Sequence, residues 1–179
     1  MRQKSLHLRA LSIFLLCCSG ATAAYAEPSS ACVLPSNLHE EITEKYPHMR
    51  VVTMADLDEH DQKLFRKDQG RHCPGLTKVD FYGDRSATWA IVLISGESPN
   101  RKAQLLVARQ TENAWETRLL DSTNGTPVVW SESAGKYEGM SEPYTILAKN
   151  PVIVFCGLES WGVVFAWNGK EVEKLQIWD

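Results

Sequence analysis

From Leu76 onward, runs rich in β-branched, aromatic and aliphatic residues recur at short intervals, separated by turn-forming residues. The runs cover residues 88–94 (TWAIVLI), 105–108, 115–120, 128–130, 144–148, 152–155, 163–167 and 172–178. Between them stand Ser98-Pro99-Asn100, Asn124-Gly125, Asn150-Pro151 and Asn168-Gly169. Short connections between neighbouring strands argue for an antiparallel meander over βαβ crossovers, which need longer helical connections. Asn168-Gly169 is the clearest hairpin signal and suits a two-residue type I′ turn. Residues 115–120 alternate polar and apolar, as a strand with one wet face does. TWAIVLI, VIVF and VVFAW are nearly continuous and therefore predict strands covered on both faces.

The preceding stretch changes period. Asn37, with Glu40 three positions on, reads as a capping box, Leu38 and Ile42 fall on one helical face, and Pro47 stops the run. Residues 49–53 are a short apolar run that suits a strand. A second helix is expected after the acidic cluster 56–61, with Leu57, Leu64 and Phe65 on one side and carboxylates facing the positive end of the helix dipole. Gly70 and Pro74-Gly75 close this part. The expectation is an α+β fold: two short N-terminal helices packed on an antiparallel β-meander of about six to eight strands, by counting strand signals. One domain over 36–179 follows an extended lead-in over 27–35.

The first 26 residues carry a different signal. Arg2, Lys4 and Arg9 precede an apolar segment over 10–18, and Ala24-Tyr25-Ala26 then forms an A-x-A cleavage pattern ahead of Glu27. The apolar core falls short of the roughly 20 residues a bilayer span needs. A secretory signal over 1–26 is the expectation, leaving a periplasmic or secreted chain without a membrane span. Its loss takes Lys plus Arg from 19 to 16 against 22 Asp plus Glu, so the net charge moves from −3 to −6. An acidic domain lacks the basic stripe of nucleic-acid binders, and nucleic acid is excluded as the expected partner.

Cys32, Cys73 and Cys156 remain, and an oxidising compartment favours pairing. Three thiols allow three single disulfides. Cys73–Cys156 is the expected pair, because each lies near a Gly at the edge of an apolar run, whereas Cys32 sits in a Pro/Ser-flanked lead-in.

Asp80-Phe81-Tyr82-Gly83-Asp84 leads at once into TWAIVLI. It resembles the calcium loop of FG-GAP or VCBS-type β modules, D-x-[DN]-x-D-G-x-x-D, and the chain is similar overall to small bacterial secreted proteins with a D-F-x-G-D loop. The resemblance implies a calcium site whose ligands include Asp80 and Asp84. Tyr82, Arg85 and Thr88 depart from the second, glycine and last ligand positions, so two carboxylates and a cation make a poor set of hard oxygen donors. The simpler reading is a capped turn before a strand. The 56–61 cluster fails as an EF-hand, since Asp61 and Lys67 hold the places of Gly and Glu. Residues 157–162 fail as a nucleophile elbow, since Leu158 stands where Gly is required. No zinc-ligand spacing occurs, and no cofactor is expected.

Six tryptophans are many for such a chain: Trp89, Trp115, Trp130, Trp161, Trp167 and Trp178. Those inside apolar runs read as core. Trp161 differs, because it lies in a turn-like segment between two buried runs, and loops on a rigid scaffold concentrate binding residues. Glu159, Ser160 and Trp161 are therefore the expected partner-binding surface. The functional expectation is a small exported binding or inhibitory module for a protein or an envelope polymer. The alternative is a cell-envelope hydrolase using carboxylates such as Glu159 and Asp84, which must then lie within about 5–10 Å of each other.

Overall fold

A computed structural model describes residues 32–98, 100–112, 114–140 and 144–179. The expected signal and most of the lead-in lie outside the described residues. Helix α1 (Ser36–Lys45) buries Leu38 and Ile42, one turn apart. The Asn37 capping box does not form. Pro35 is the N-cap, and Asn37 Oδ1 instead accepts the neighbouring Leu38 N–H at 2.9 Å. Helix α2 (Glu59–Gln69) is capped by Asp58, whose carboxylate accepts the Asp61 N–H at 2.9 Å. Phe65 is its buried residue, and enclosing such a ring contributes about 2–3 kcal/mol.

The strands are β1 (Arg50–Val51), β2 (Leu76–Val79), β3 (Thr88–Ser95), β4 (Lys102–Gln110), β5 (Trp115–Asn124), β6 (Val128–Glu132), β7 (Gly135–Glu138), β8 (Thr145–Ala148), β9 (Val152–Gly157), β10 (Trp161–Trp167) and β11 (Val172–Trp178). All pairings are antiparallel. The first sheet runs β1-β3-β4-β5, with β2 sharing the edge of β3 that β1 occupies. Gly75 lies where these two short strands meet: a Cβ there would stand 2.4 Å from the Val52 carbonyl oxygen, so no larger residue fits without moving backbone. The second sheet runs β11-β10-β9-β6, and β7-β8 form a separate hairpin.

These sheets stack as a sandwich. Val92, Leu105 and Val107 from the first meet Val129, Ile153, Phe155, Val163 and Phe165 from the second. One side is closed by the Val129 N–H on the Pro74 oxygen at 2.7 Å, the other by Lys174 on Asp121 at 2.7 Å. Helix α1 covers the outer face of the first sheet through Leu38 and Ile42 against Ile91, Leu93 and Leu106. The β7-β8 hairpin covers part of the second sheet through Ile146 and Ala148, and Phe65 of α2 covers Val128 and Cys156. Covering on both faces explains the continuous apolar runs.

The architecture is α+β, but it is not one meander. β3-β4-β5 and β9-β10-β11 are each meanders, and Asn124-Gly125 is a crossing between them: the chain leaves β5 at one side of the first sheet and enters the second as β6 beside β9. The Asn168-Gly169 hairpin forms one residue out of its expected frame. Asn168 donates its N–H to the Glu171 oxygen at 3.2 Å, and Gly169, at φ +99°, takes the first central position with Lys170 second. Asn168 Oδ1 accepts both the Lys170 and Glu171 N–H groups at 2.9 Å, so its side chain organises the turn from outside.

The disulfide joins Cys32 to Cys73, with S–S 2.02 Å, in place of the expected Cys73–Cys156. Layering explains the difference. Cys73 lies in the α1-side cluster with Leu34 and Leu38, whereas Cys156 faces Leu57 and Phe65 beyond the second sheet. Cys156 is a buried free thiol, and burial pushes it up to about 12, with a smaller push from Asp61. Among the described residues no helix is long and apolar enough to cross a membrane.

Candidate functional site

Three loops converge at one end of the sandwich: those joining β3 to β4, β5 to β6 and β9 to β10. With the segment entering α2 they bound an open cleft of about 440 Å³, lined among others by Asp58, Asp61, Arg101, Thr126, Ser160 and Trp161. Of the expected surface, Ser160 and Trp161 therefore face this cleft, and Glu159 stands beside it.

Gly157 pairs with Trp161 across the β9–β10 hairpin, and the Ser160 N–H closes the turn on the Gly157 oxygen at 3.0 Å. Ser160 Oγ returns to the same oxygen at 3.1 Å. Glu159 adopts φ +57°, a left-handed conformation uncommon for a residue other than Gly or Asn. Its Oε2 lies 2.8 Å from Nε2 of His60, so the turn is tied to the first turn of α2. That carboxylate raises the pKa of His60, and Asp58 and Asp61 act in the same direction.

Trp161 is less free than its sequence position suggests. It opens β10, and its ring stands edge-on to Phe155 with centroids 5.1 Å apart. The same ring also borders a second depression lined by Asp121, Lys174 and Gln176. It is thus half core, half surface.

The acidic approach to α2 is more than a solvated helix start. Although burial works against it, Asp56 is held down at about 2 by Arg50, which donates through both terminal nitrogens, and by the Thr53 N–H and hydroxyl, each at 2.9 Å. Asp61, in contrast, is pushed up by burial and then by Asp58, against a lowering from His60. Arg101 donates to the Asp56 carbonyl at 3.2 Å and to Thr126 Oγ1 at 2.6 Å. Its Nε is buried with no hydrogen-bond partner among the described residues. Asp58, Asp61 and Arg101 line this cleft and His60 holds Glu159 beside it, yet they lie some 60 to 100 positions from Ser160 and no local spacing in the sequence links them.

The D-F-x-G-D loop lies at the opposite end. Both Asp80 oxygens accept the Arg85 N–H at 3.2 Å, and Asp84 accepts the Ser86 N–H at 2.9 Å while pairing with Arg109. Arg109 in turn lies over the Tyr82 ring at 5.1 Å, and Tyr82 meets Trp167 edge-on. These carboxylates thus cap their own loop. Among the described residues no three His, Cys, Asp or Glu side chains gather as a metal site would require. Glu159, on the β9–β10 turn, and Asp84, in the loop between β2 and β3 at the other end of the sandwich, are not brought together over one cleft as an acid and base pair requires.

Compared with known proteins, the chain matches no family model, no curated protein and no solved structure.

Proposed function

We propose that the chain is an exported binding or inhibitory module whose contact surface is the β9–β10 turn, with Glu159, Ser160 and Trp161 meeting a protein or envelope polymer beside the acidic first turn of α2. The observation carrying this reading is the held turn: Glu159 keeps a left-handed backbone at an exposed tip while its side chain is tied to His60. Conformations of that kind persist where surrounding structure over-determines them, and they cluster at active sites, ligand clamps and switch regions. A half-buried indole next to it supplies apolar area whose orientation is already set by Phe155. The disulfide fits an oxidising compartment.

Capture from an envelope extract tests the proposal when the wild type is run beside Ser160→Arg, which adds bulk at the cleft without entering the core. Retention by the wild type and loss in the variant supports the surface; equal retention removes it.

A carboxylate-based hydrolase is the second reading, favoured by Asp61 alone. Burial, then Asp58, raises its pKa beside an open cleft, the direction in which a general acid's pKa is shifted. Turnover of envelope polymer that disappears in Asp61→Asn would establish it over binding.

A further inference from the structure

We propose that the chain forms a two-fold dimer by pairing residues 115–119 of β5 with the same residues of a second copy, extending the first sheet across the interface. β5 is the edge strand of that sheet, paired only with β4 among the described residues.

The phase of the ladder fixes which backbone groups face outward. The Thr111 N–H bonds the Ala114 oxygen at 2.9 Å. With Gln110 opposite Trp115 and Arg109 opposite Glu116, the alternation of an antiparallel pair turns Glu116 and Arg118 toward β4 and leaves Trp115, Thr117 and Leu119 facing away. An independent observation gives the same phase: Val92 directs its N–H and C=O to Gly75 and Val52, away from β4, which turns the backbone of its partner Leu105 toward β5.

Beyond Leu119 the edge closes. Leu105 pairs with Asp121 and Leu106 with Leu119, so Leu120 is the extra residue of a bulge. Such bulges bend a strand away from further pairing. Asp121 is then drawn to Lys174 of the second sheet at 2.7 Å. The open edge is five residues long.

Those five residues are self-complementary. A two-fold axis at Thr117 places Thr117 opposite its own copy and Trp115 opposite Leu119 of the second copy, both as hydrogen-bonded pairs. Glu116 then falls opposite Arg118 of the second copy, twice, at the non-bonded positions where side chains approach most closely. Glu116 and Arg118 are exposed, and neither belongs to an ion pair among the described residues. Leu119 is 48% exposed and gains a neighbour on the pairing. Lys45, whose ammonium sits on Thr117 Oγ1 at 2.6 Å, approaches its own copy near the axis, but Glu41 at 3.2 Å balances its charge. Because the two β5 strands run antiparallel, the two clefts point in opposite directions. Both remain open for the contacts proposed above, though the dimer does not depend on that reading.

The test is sedimentation of the full-length chain, expressed with its own N-terminal segment, from about 10 μM to 1 mM, the range suited to an interface below standard size. For the wild type the apparent mass should rise across that range from near the monomer toward that of a dimer. Glu116→Arg and Arg118→Glu should each stay monomeric, while an equimolar mixture of the two should dimerise again, since every opposed pair is then of unlike charge. Thr117→Pro, which removes an outward N–H at an edge where proline is tolerated, should also stay monomeric with an unchanged circular dichroism spectrum. A wild type that stays monomeric throughout overturns the proposal, as does a dimer that survives both charge reversals or a mixture that fails to restore it.

Discussion

Nε2 of His60, in the first turn of α2, lies 2.8 Å from Oε2 of Glu159 at the tip of the β9–β10 hairpin. It links two elements that are 99 residues apart in sequence. Glu159 raises the His60 pKa, so the linkage has a definite sign. A histidine whose folded value exceeds its unfolded value of about 6.5 adds stability below that pH and loses it as pH rises through the folded value. Nuclear magnetic resonance titration should place His60 of the wild type above His60 of Glu159→Gln. The melting difference between wild type and His60→Gln should be larger near about pH 6 than near about pH 8. Identical titration curves in the two proteins would show that the contact is not made in solution.

Trp161 serves the core as well as the surface, and its substitutions should separate the two roles. Trp161→Ala removes the ring that meets Phe155 and should cost about 2–3 kcal/mol, below the range for fully buried tryptophans. Trp161→Phe should recover most of that loss in denaturant unfolding. If both variants match the wild type in stability, the indole contributes nothing to the core.

Peptide mapping without reduction should yield Cys32 linked to Cys73. Closing a loop of that sequence separation, 41 residues, is worth about 4 kcal/mol in the chain-entropy account, so Cys32→Ser should be strongly destabilised. Cys156 should resist alkylation until the chain unfolds, because it is buried and its thiol is pushed up to about 12. A linked Cys73–Cys156 peptide would contradict the layering that separates them.

Asp84 holds Arg109, which rests on Tyr82. A cation entering that loop must displace the guanidinium, so excess calcium should leave the melting temperature unmoved. Arg109→Ala should cost about 1 kcal/mol, since the pair is partly exposed and solvent screens it. A calcium-dependent rise in melting temperature would reinstate Asp80 and Asp84 as ligands.

Legibility in the sequence followed the strength of the local signal. The long apolar strands and the hairpin at Asn168-Gly169 were readable because periodicity and turn chemistry act over a few residues. β2 and β7 were not, being four residues long and partly polar (LTKV, GKYE). The division into two sheets was equally silent, since the crossing after Asn124 looks like any glycine turn. Cys32 misled because pairing depends on the layer a residue reaches, and its flanking Pro and Ser say nothing of that. The turn carrying Glu159, Ser160 and Trp161 was marked by Gly157 and Gly162. Its neighbours Asp58, His60, Asp61 and Arg101 arrive from distant segments, and only the folded chain assembles them.

The most direct test of the proposed contact surface is site-specific photo-crosslinking in the producing cell, with the photoreactive residue placed at Ser160 and, as control, at Lys170 in the turn at the far end of β10. One discrete adduct at position 160, absent at 170, is the expected result. No adduct at 160, or the same adducts at both positions, would contradict a binding role for the β9–β10 turn.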